Sequence, residues 1–428
     1  VLYIIFVLLV LCGFAFYVMS PEERMRALRT GLAALGQARE AAIEDLHRSD
    51  PFRDALRART PWALITPGLV ALNLLVFFWM AFDEGAVADA QTQVSWGGNF
   101  GPLTTNGEWW RLVTATFLHS GFFQLLFTIG AILQMGLLLE RLLGPFTVGS
   151  VYVGAGILSN VVMLSKTPVD VTSGPSGAVF GLYGLLVASL MWGVIHRSPL
   201  TIPLMTLKRL VPATVLFLLY AMAAYGIGVP QLTGLMVGVI CGLVVSKGVS
   251  ECKPPVRRVA ATAAATLVLA VITAVPLRGV TDARPEIERL IAVEDRTAGA
   301  YQKAVSNFRN GRMSAGELAR LIDQSIVPEL KEVRTRLTSL EGVPREQLAM
   351  VAGAEEYLRL RDESWRLRTE GLHKSNLKTL SKAEKPEREA LEALQKLRPP
   401  VETLPPTDEK SEEEVGRRKT ERKTARKK

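Results

Sequence analysis

The stretch LVALNLLVFFWMAF, residues 69–82, carries no charge, and runs like it recur along the first two thirds of the chain. About 20 consecutive apolar residues are what an α-helix needs to cross the hydrocarbon core of a bilayer. Runs near that length lie at 1–19, 64–83, 112–136, 146–165, 176–195, 211–228, 231–248 and 259–276. The chain is therefore expected to be an all-α polytopic membrane protein. Beyond residue 280 such runs cease and Glu, Lys and Arg become dense, so the overall apolar fraction of 49% averages two unlike parts. The second part is expected to be a soluble appendage.

Lys and Arg gather in short cytoplasmic loops. The segment 20–62 is basic (Arg24, Arg26, Arg29, Arg53, Arg57, Arg59), as are the loops holding Arg141, holding Arg197, Lys208 and Arg209, and running from Lys247 to Arg258. Between them, 84–108 has no Lys or Arg and 166–175 has only Lys166, which sits in a loop on this reading. The alternation puts 84–108, 166–175 and 228–231 on the outer side, with the C-terminal region there too if 259–276 spans. The net charge of +9 says less than this distribution.

Six segments are expected: an N-terminal transmembrane helix at 1–20, a basic cytoplasmic linker helix at 21–62, a six-span core at 63–250, an additional transmembrane helix at 258–277, a soluble helical bundle or coiled coil at 280–398, and a disordered charged tail at 399–428. The first run lacks a basic leader and a small-residue cleavage site, which reads as an anchor. In the soluble part, Ser314 with Glu317 three residues on is a capping-box pattern. Leu318, Leu321, Ile322, Leu330, Val333 and Leu337 follow at helical spacing, and a second helix after Pro344 carries Leu348, Val351, Leu358 and Trp365. The tail is Pro-rich and then charged, the composition of a solvated chain.

Several chemistries lack their residues. The three Cys (Cys12, Cys241, Cys252) and four His (His47, His119, His196, His373) form no metal-ligand spacing, and no phosphate-binding Gly loop occurs. No metal and no cofactor are expected, nor a specific nucleic-acid partner. The partners expected are the lipid bilayer and other transmembrane segments.

Polar groups inside the apolar runs are the remaining signal, because they are costly at membrane depth and face a cavity or a partner. Ser176 lies in VTSGPSGAVFGLYG, residues 171–184, between Gly174-Pro175 and Gly177. Gly177 and Gly181 make a small-xxx-small pair, as do Gly234 and Gly238 in PQLTGLMVG, residues 230–238, and such faces let helices approach closely. Gln124 and Thr128 share one helix face after His119. Trp110-Arg111 stands at the entry of the same run, and Glu140, Arg141 and Gly144 close it.

In this order the motifs resemble the six-span core of the rhomboid intramembrane serine proteases, over about 64–248. Trp110-Arg111 matches that family's WR motif, Gly174 to Gly177 its GxSG motif, Glu140 to Gly144 its helix-closing pattern, and residues 230–238 its A-H-x-x-G-x-x-x-G helix. The resemblance implies a serine–histidine dyad that cuts transmembrane segments. It gives Ser176 the nucleophile's position and a backbone N–H of the oxyanion hole. It gives Gln124 and Thr128 the positions of the His and Asn that assist that hole, and His119 a place supporting loop structure. The general-base histidine falls on Gln231, and no His lies between 197 and 372. An amide cannot take a serine's proton and return it. The expectation is a pseudoprotease that binds transmembrane segments, in a multi-pass protein of a bacterial inner membrane. Two alternatives stand beside it: an active intramembrane serine endopeptidase with a non-standard base, and a membrane-anchored helical scaffold.

Overall fold

A computed structural model describes residues 51–83, 87–195, 202, 204–224, 226, 228–246 and 253–398. The expected N-terminal transmembrane helix, residues 21–50 of the linker helix and the charged tail lie outside these residues. Contacts divide the chain into two compact units, Val1–Val280 and Thr281–Lys428.

The first unit begins with α1 (Pro51–Arg59) and α2 (Ile65–Asp83). Three short helices follow, α3 (Ala90–Ser95), α4 (Gly101–Thr104) and α5 (Arg111–Thr114). The long apolar helices are α6 (Phe122–Leu143), α7 (Pro145–Lys166), α8 (Ser176–Ile195), α9 (Leu204–Ala224), α10 (Val229–Val245) and α11 (Val256–Ala274). Among the described residues, six helices of this unit are long and apolar enough to span a membrane, and α10 is a shorter apolar helix. The protein is a multi-pass integral membrane protein, all-α, with a six-helix core and α11 as an extra span.

The second core helix starts later and ends later than the sequence suggests. It runs from Phe122 to Leu143, not from 112 to 136. The charge at Glu140 made the run look finished, yet Glu140 is fully buried inside the helix. Its carboxylate accepts from the backbone N–H groups of Leu64, Ile65 and Thr66 at 2.7, 2.9 and 2.8 Å and from the Thr66 hydroxyl at 2.6 Å. Those N–H groups open α2 and have no intrahelical acceptor, so one buried anion closes one helix end. Glu140→Ala strands these donors. Hydrogen bonds to a charged group contribute about 1.5–3 kcal/mol each, so the thermal midpoint in detergent is expected to fall sharply, with Glu140→Gln recovering part of the loss.

Helix α8 lies at the centre. Gly177 through Leu186 are all buried, which a helix apolar on every side requires. It packs on α7 and, closest of all, on α10. A Cβ on Gly234 would run into the Gly177 carbonyl oxygen, and one on Gly238 into that of Gly181. The two glycine pairs therefore face each other backbone to backbone.

The second unit holds α12 (Arg284–Arg309), α13 (Ala315–Leu321), a π-helical turn (Ile322–Ile326), α14 (Val327–Thr338), α15 (Arg345–His373), α16 (Leu377–Lys382) and α17 (Glu384–Leu397). Ser314 and Glu317 make the capping box. Leu318, Ile322, Leu330, Val333, Leu337, Leu358 and Trp365 are buried, but Leu348 is 52% exposed. The inward position in that turn is Gln347, whose side chain accepts from Ala283 N at 2.9 Å and donates to Asp282 at 2.8 Å.

Apolar spacing did not reveal the polar centre of this unit. Arg361 and Glu294 are each 2% exposed and pair at 2.6 Å. The Tyr357 hydroxyl donates to Glu294 at 2.5 Å, and Arg361 also reaches Glu387 at 3.1 Å. Burial, then the neighbouring Glu294 charge, raises the Tyr357 pKa, so the phenol remains a donor. Removing one partner of a buried pair costs about 3–5 kcal/mol because the other charge is left alone. Arg361→Ala is thus expected to abolish slow hydrogen exchange across 284–397 in the full chain, while Arg359→Ala, at an exposed pair, leaves it nearly unchanged.

Candidate active site

Ser176 is the first residue of α8, and the turn before it depends on Gly174. Gly174 has φ +129°, a conformation that L side chains rarely adopt. Its N–H donates to Ala115 O at 2.8 Å, and a Cβ there would lie 2.8 Å from Gln124 Nε2. The turn thus sits against both the Gln124 side chain and the segment before α6. The N–H groups of the first turn of α8 have no intrahelical acceptor and carry the positive end of the helix dipole.

Gln231 is 4% exposed and stands in the first turn of α10. Its Oε1 accepts from Gly228 N at 3.0 Å, which turns its amide nitrogen outward. That Nε2 donates to Ser176 Oγ at 3.4 Å. Gln231 therefore does two jobs. It reaches back to cap its own helix, and it donates a proton toward the serine oxygen. A donor at this place cannot accept the serine's proton, so the pair as it stands cannot generate an alkoxide.

Gln124 is 6% exposed and stands in the first turn of α6. Its Oε1 accepts from Ser120 N and Ser120 Oγ at 2.7 and 2.9 Å, leaving Nε2 toward Gly174. Ser176, Gln231 and Gln124 line one cavity of about 570 Å³. Thr128 is buried a turn below and is not among the residues lining it. His119 is fully buried too, but it packs on Phe77 with ring centroids 6.3 Å apart, and it does not line the cavity. Lys166 does line it. The residue ends α7 and is not in a loop.

The other motif residues hold the frame. Arg111 is buried and donates to Val94 O at 2.5 Å and Gly98 O at 3.2 Å, with Glu108 as its ion partner at 2.6 Å. Trp110 is half exposed, with the Arg111 guanidinium 4.8 Å from its ring. The Arg141 carbonyl accepts from Thr60 Oγ1 at 3.1 Å. A Cβ on Gly177 would strike Ser159, and one on Gly181 would meet Ala155 Cβ at 2.5 Å, so α7 also presses on α8.

Four polar residues at the site were not singled out in the sequence. Ser159 donates to Pro230 O at 2.9 Å and fixes the start of α10. Asn160 donates to Leu112 O at 2.9 Å, and Asn99 donates to Asn160 O at 3.1 Å. Gln93 accepts from Ser173 Oγ at 2.5 Å. The Ser-Asn pair inside the apolar run GILSNVVML was a usable signal, because polar groups at that depth look inward. Nothing local marks Gln93, which reaches the site through Ser173, or Asn99, which reaches it through a bridge to Thr172.

Residues 106–248 match the rhomboid domain family model. Among curated proteins, the rhomboid-type protein YdcA of Bacillus subtilis is 38% identical over 118 residues, 27% of this chain and 58% of that protein. The rhomboid protease GluP of the same organism is 34% identical over 118 residues, 28% of this chain and 23% of its own length. An inactive RHOMBOID-like protein 8 of Arabidopsis thaliana is 33% identical over 90 residues, 21% of this chain and 25% of its own. The chain thus spans less than two thirds of each of these relatives.

Proposed function

This chain belongs to the rhomboid family, and from that premise we propose that it is a pseudoprotease that binds transmembrane segments of client membrane proteins without cutting them. One observation carries the reading: Gln231 donates to Ser176 Oγ while its own acceptor oxygen is taken by Gly228. The nucleophile's position is kept and its base is replaced by a donor. The cavity beside it, lined by neutral amides, hydroxyls and one lysine, supplies hydrogen bonds to an unwound backbone. The protein is proposed to work in a bacterial inner membrane.

The second reading, an active endopeptidase, rests on Lys166, which lines the same cavity and is of a type that serves as base in Ser–Lys enzymes. A photocrosslinking residue at Met163, inside the cavity, tests both in reconstituted vesicles with a reporter transmembrane peptide. Capture of intact peptide by wild type and by Ser176→Ala alike supports the pseudoprotease. Cleavage that disappears in Ser176→Ala overturns it, and cleavage that also disappears in Lys166→Ala names the base. Capture that is lost when 281–428 are deleted moves the work to the helical unit, as the scaffold alternative requires.

A further inference from the structure

A second concavity of the membrane unit lies away from Ser176. It is a groove of about 290 Å³ between α11, α5 and α7. Its walls are apolar: Trp109 and Val113, Ile157 of α7, Leu267 and Val271 along α11, and Val275 just past its end. The last three are 57%, 54% and 47% exposed, so the groove opens to the outside of the helix bundle, where lipid stands. No ligand that needs several hydrogen bonds finds them here.

The groove has a charged end. Arg278 lines it and is exposed, directly after the apolar span that ends at Leu277. Spans alternate in direction, so the ends of α7 and α11 and the start of α8 lie at one membrane face. Arg278 therefore stands at the interface on the Ser176 side. From Leu267 to Arg278 a helix rises roughly 16 Å, about half of a 30 Å hydrocarbon core. The groove thus runs the depth of one leaflet, from headgroups to midplane. A volume of about 290 Å³ spread over that length leaves room for a single acyl chain and not for a helix about 10 Å across.

We propose that this groove binds one acyl chain of an anionic glycerophospholipid, with the headgroup phosphate and its charge against Arg278. Trp109 suits the upper wall, since its amphipathic ring favours the interface. The lipid would bridge α11 to α5 and α7. The proposal is independent of whether Ser176 has activity.

The test uses the full chain in detergent equilibrated with an equimolar mixture of phosphatidylglycerol and phosphatidylcholine, with retained lipids read by native mass spectrometry. One arginine at a lipid surface is worth about a fivefold preference for the anionic lipid. Wild type is expected to show that enrichment. Arg278→Ala should bring the ratio to parity with total lipid little changed, and Val271→Phe, which narrows the groove, should lower both lipids together. Equal retention by wild type, or an enrichment that survives Arg278→Ala, overturns the proposal. Total lipid indifferent to Val271→Phe overturns it as well, because the lipid then lies elsewhere.

Discussion

Gln231→His is expected to raise labelling of Ser176 by a fluorophosphonate probe by about 10²–10⁴-fold, the usual contribution of a positioned general base. The substitution has little ground to cover. Gln231 Nε2 already stands 3.4 Å from Ser176 Oγ, and the residue is held by its helix. An imidazole at that place can accept the serine's proton and return it to the leaving group, which the amide cannot. Loss of the link from Gln231 to Gly228 costs the start of α10 a cap, about 1 kcal/mol, which the fold should tolerate. Wild type is expected to remain dark, and Ser176→Ala in the histidine background to abolish the signal. Strong labelling of wild type would contradict the assignment of Gln231 as the silencing residue. A dark but folded Gln231→His protein would mean that the rest of the site has drifted as well.

Gly238→Ala is expected to destabilise the membrane unit strongly, against the usual sign of a glycine-to-alanine change in a helix. In an open helix the same change favours folding by up to about 1 kcal/mol, because alanine is the better helix former. Here the added methyl meets the carbonyl oxygen of Gly181, a backbone atom that cannot rotate away. Helices α8 and α10 must part, and overpacking of this kind costs about 1–3 kcal/mol or more. Gly234→Ala meets Gly177 in the same way. Gly130→Ala is the control, since no atom lies within 4 Å of its added methyl. Thermal unfolding in detergent should show a lower midpoint for Gly238→Ala and an unchanged or higher one for Gly130→Ala. Equal midpoints would remove the glycine seam from the account of stability.

The seam and the spans were legible in the sequence because each is a local pattern. Uninterrupted apolar runs name their helices, and glycines four apart name a close face. The ends of the runs were harder. Residue 140 reads as a stop because a carboxylate in lipid is costly, and only the position of Leu64 to Thr66 reveals that it caps another helix. Lys166 reads as a loop residue for a like reason: its charge ends the apolar run, although α7 continues to it. Motif matching singled out Ser176, Gln231 and Gln124, which line one cavity, and also Thr128, which shares the helix of Gln124 but does not line it. Glu294, Arg361 and Tyr357 escaped notice because charged and phenolic side chains at inward positions break the apolar code, and their pairing spans more than sixty residues.

The contact between Gly177, Gly181, Gly234 and Gly238 has a consequence for how such a site changes over time. Where backbones touch, there are no side chains to repack, so the spacing of positions 176 and 231 rests on main-chain contact, with the Ser159 bond to Pro230 O beside it. Chemistry can therefore be lost at one of these positions without the frame around it relaxing. On the proposed reading, a silent site of this build stays poised, and the step back to a working one is short.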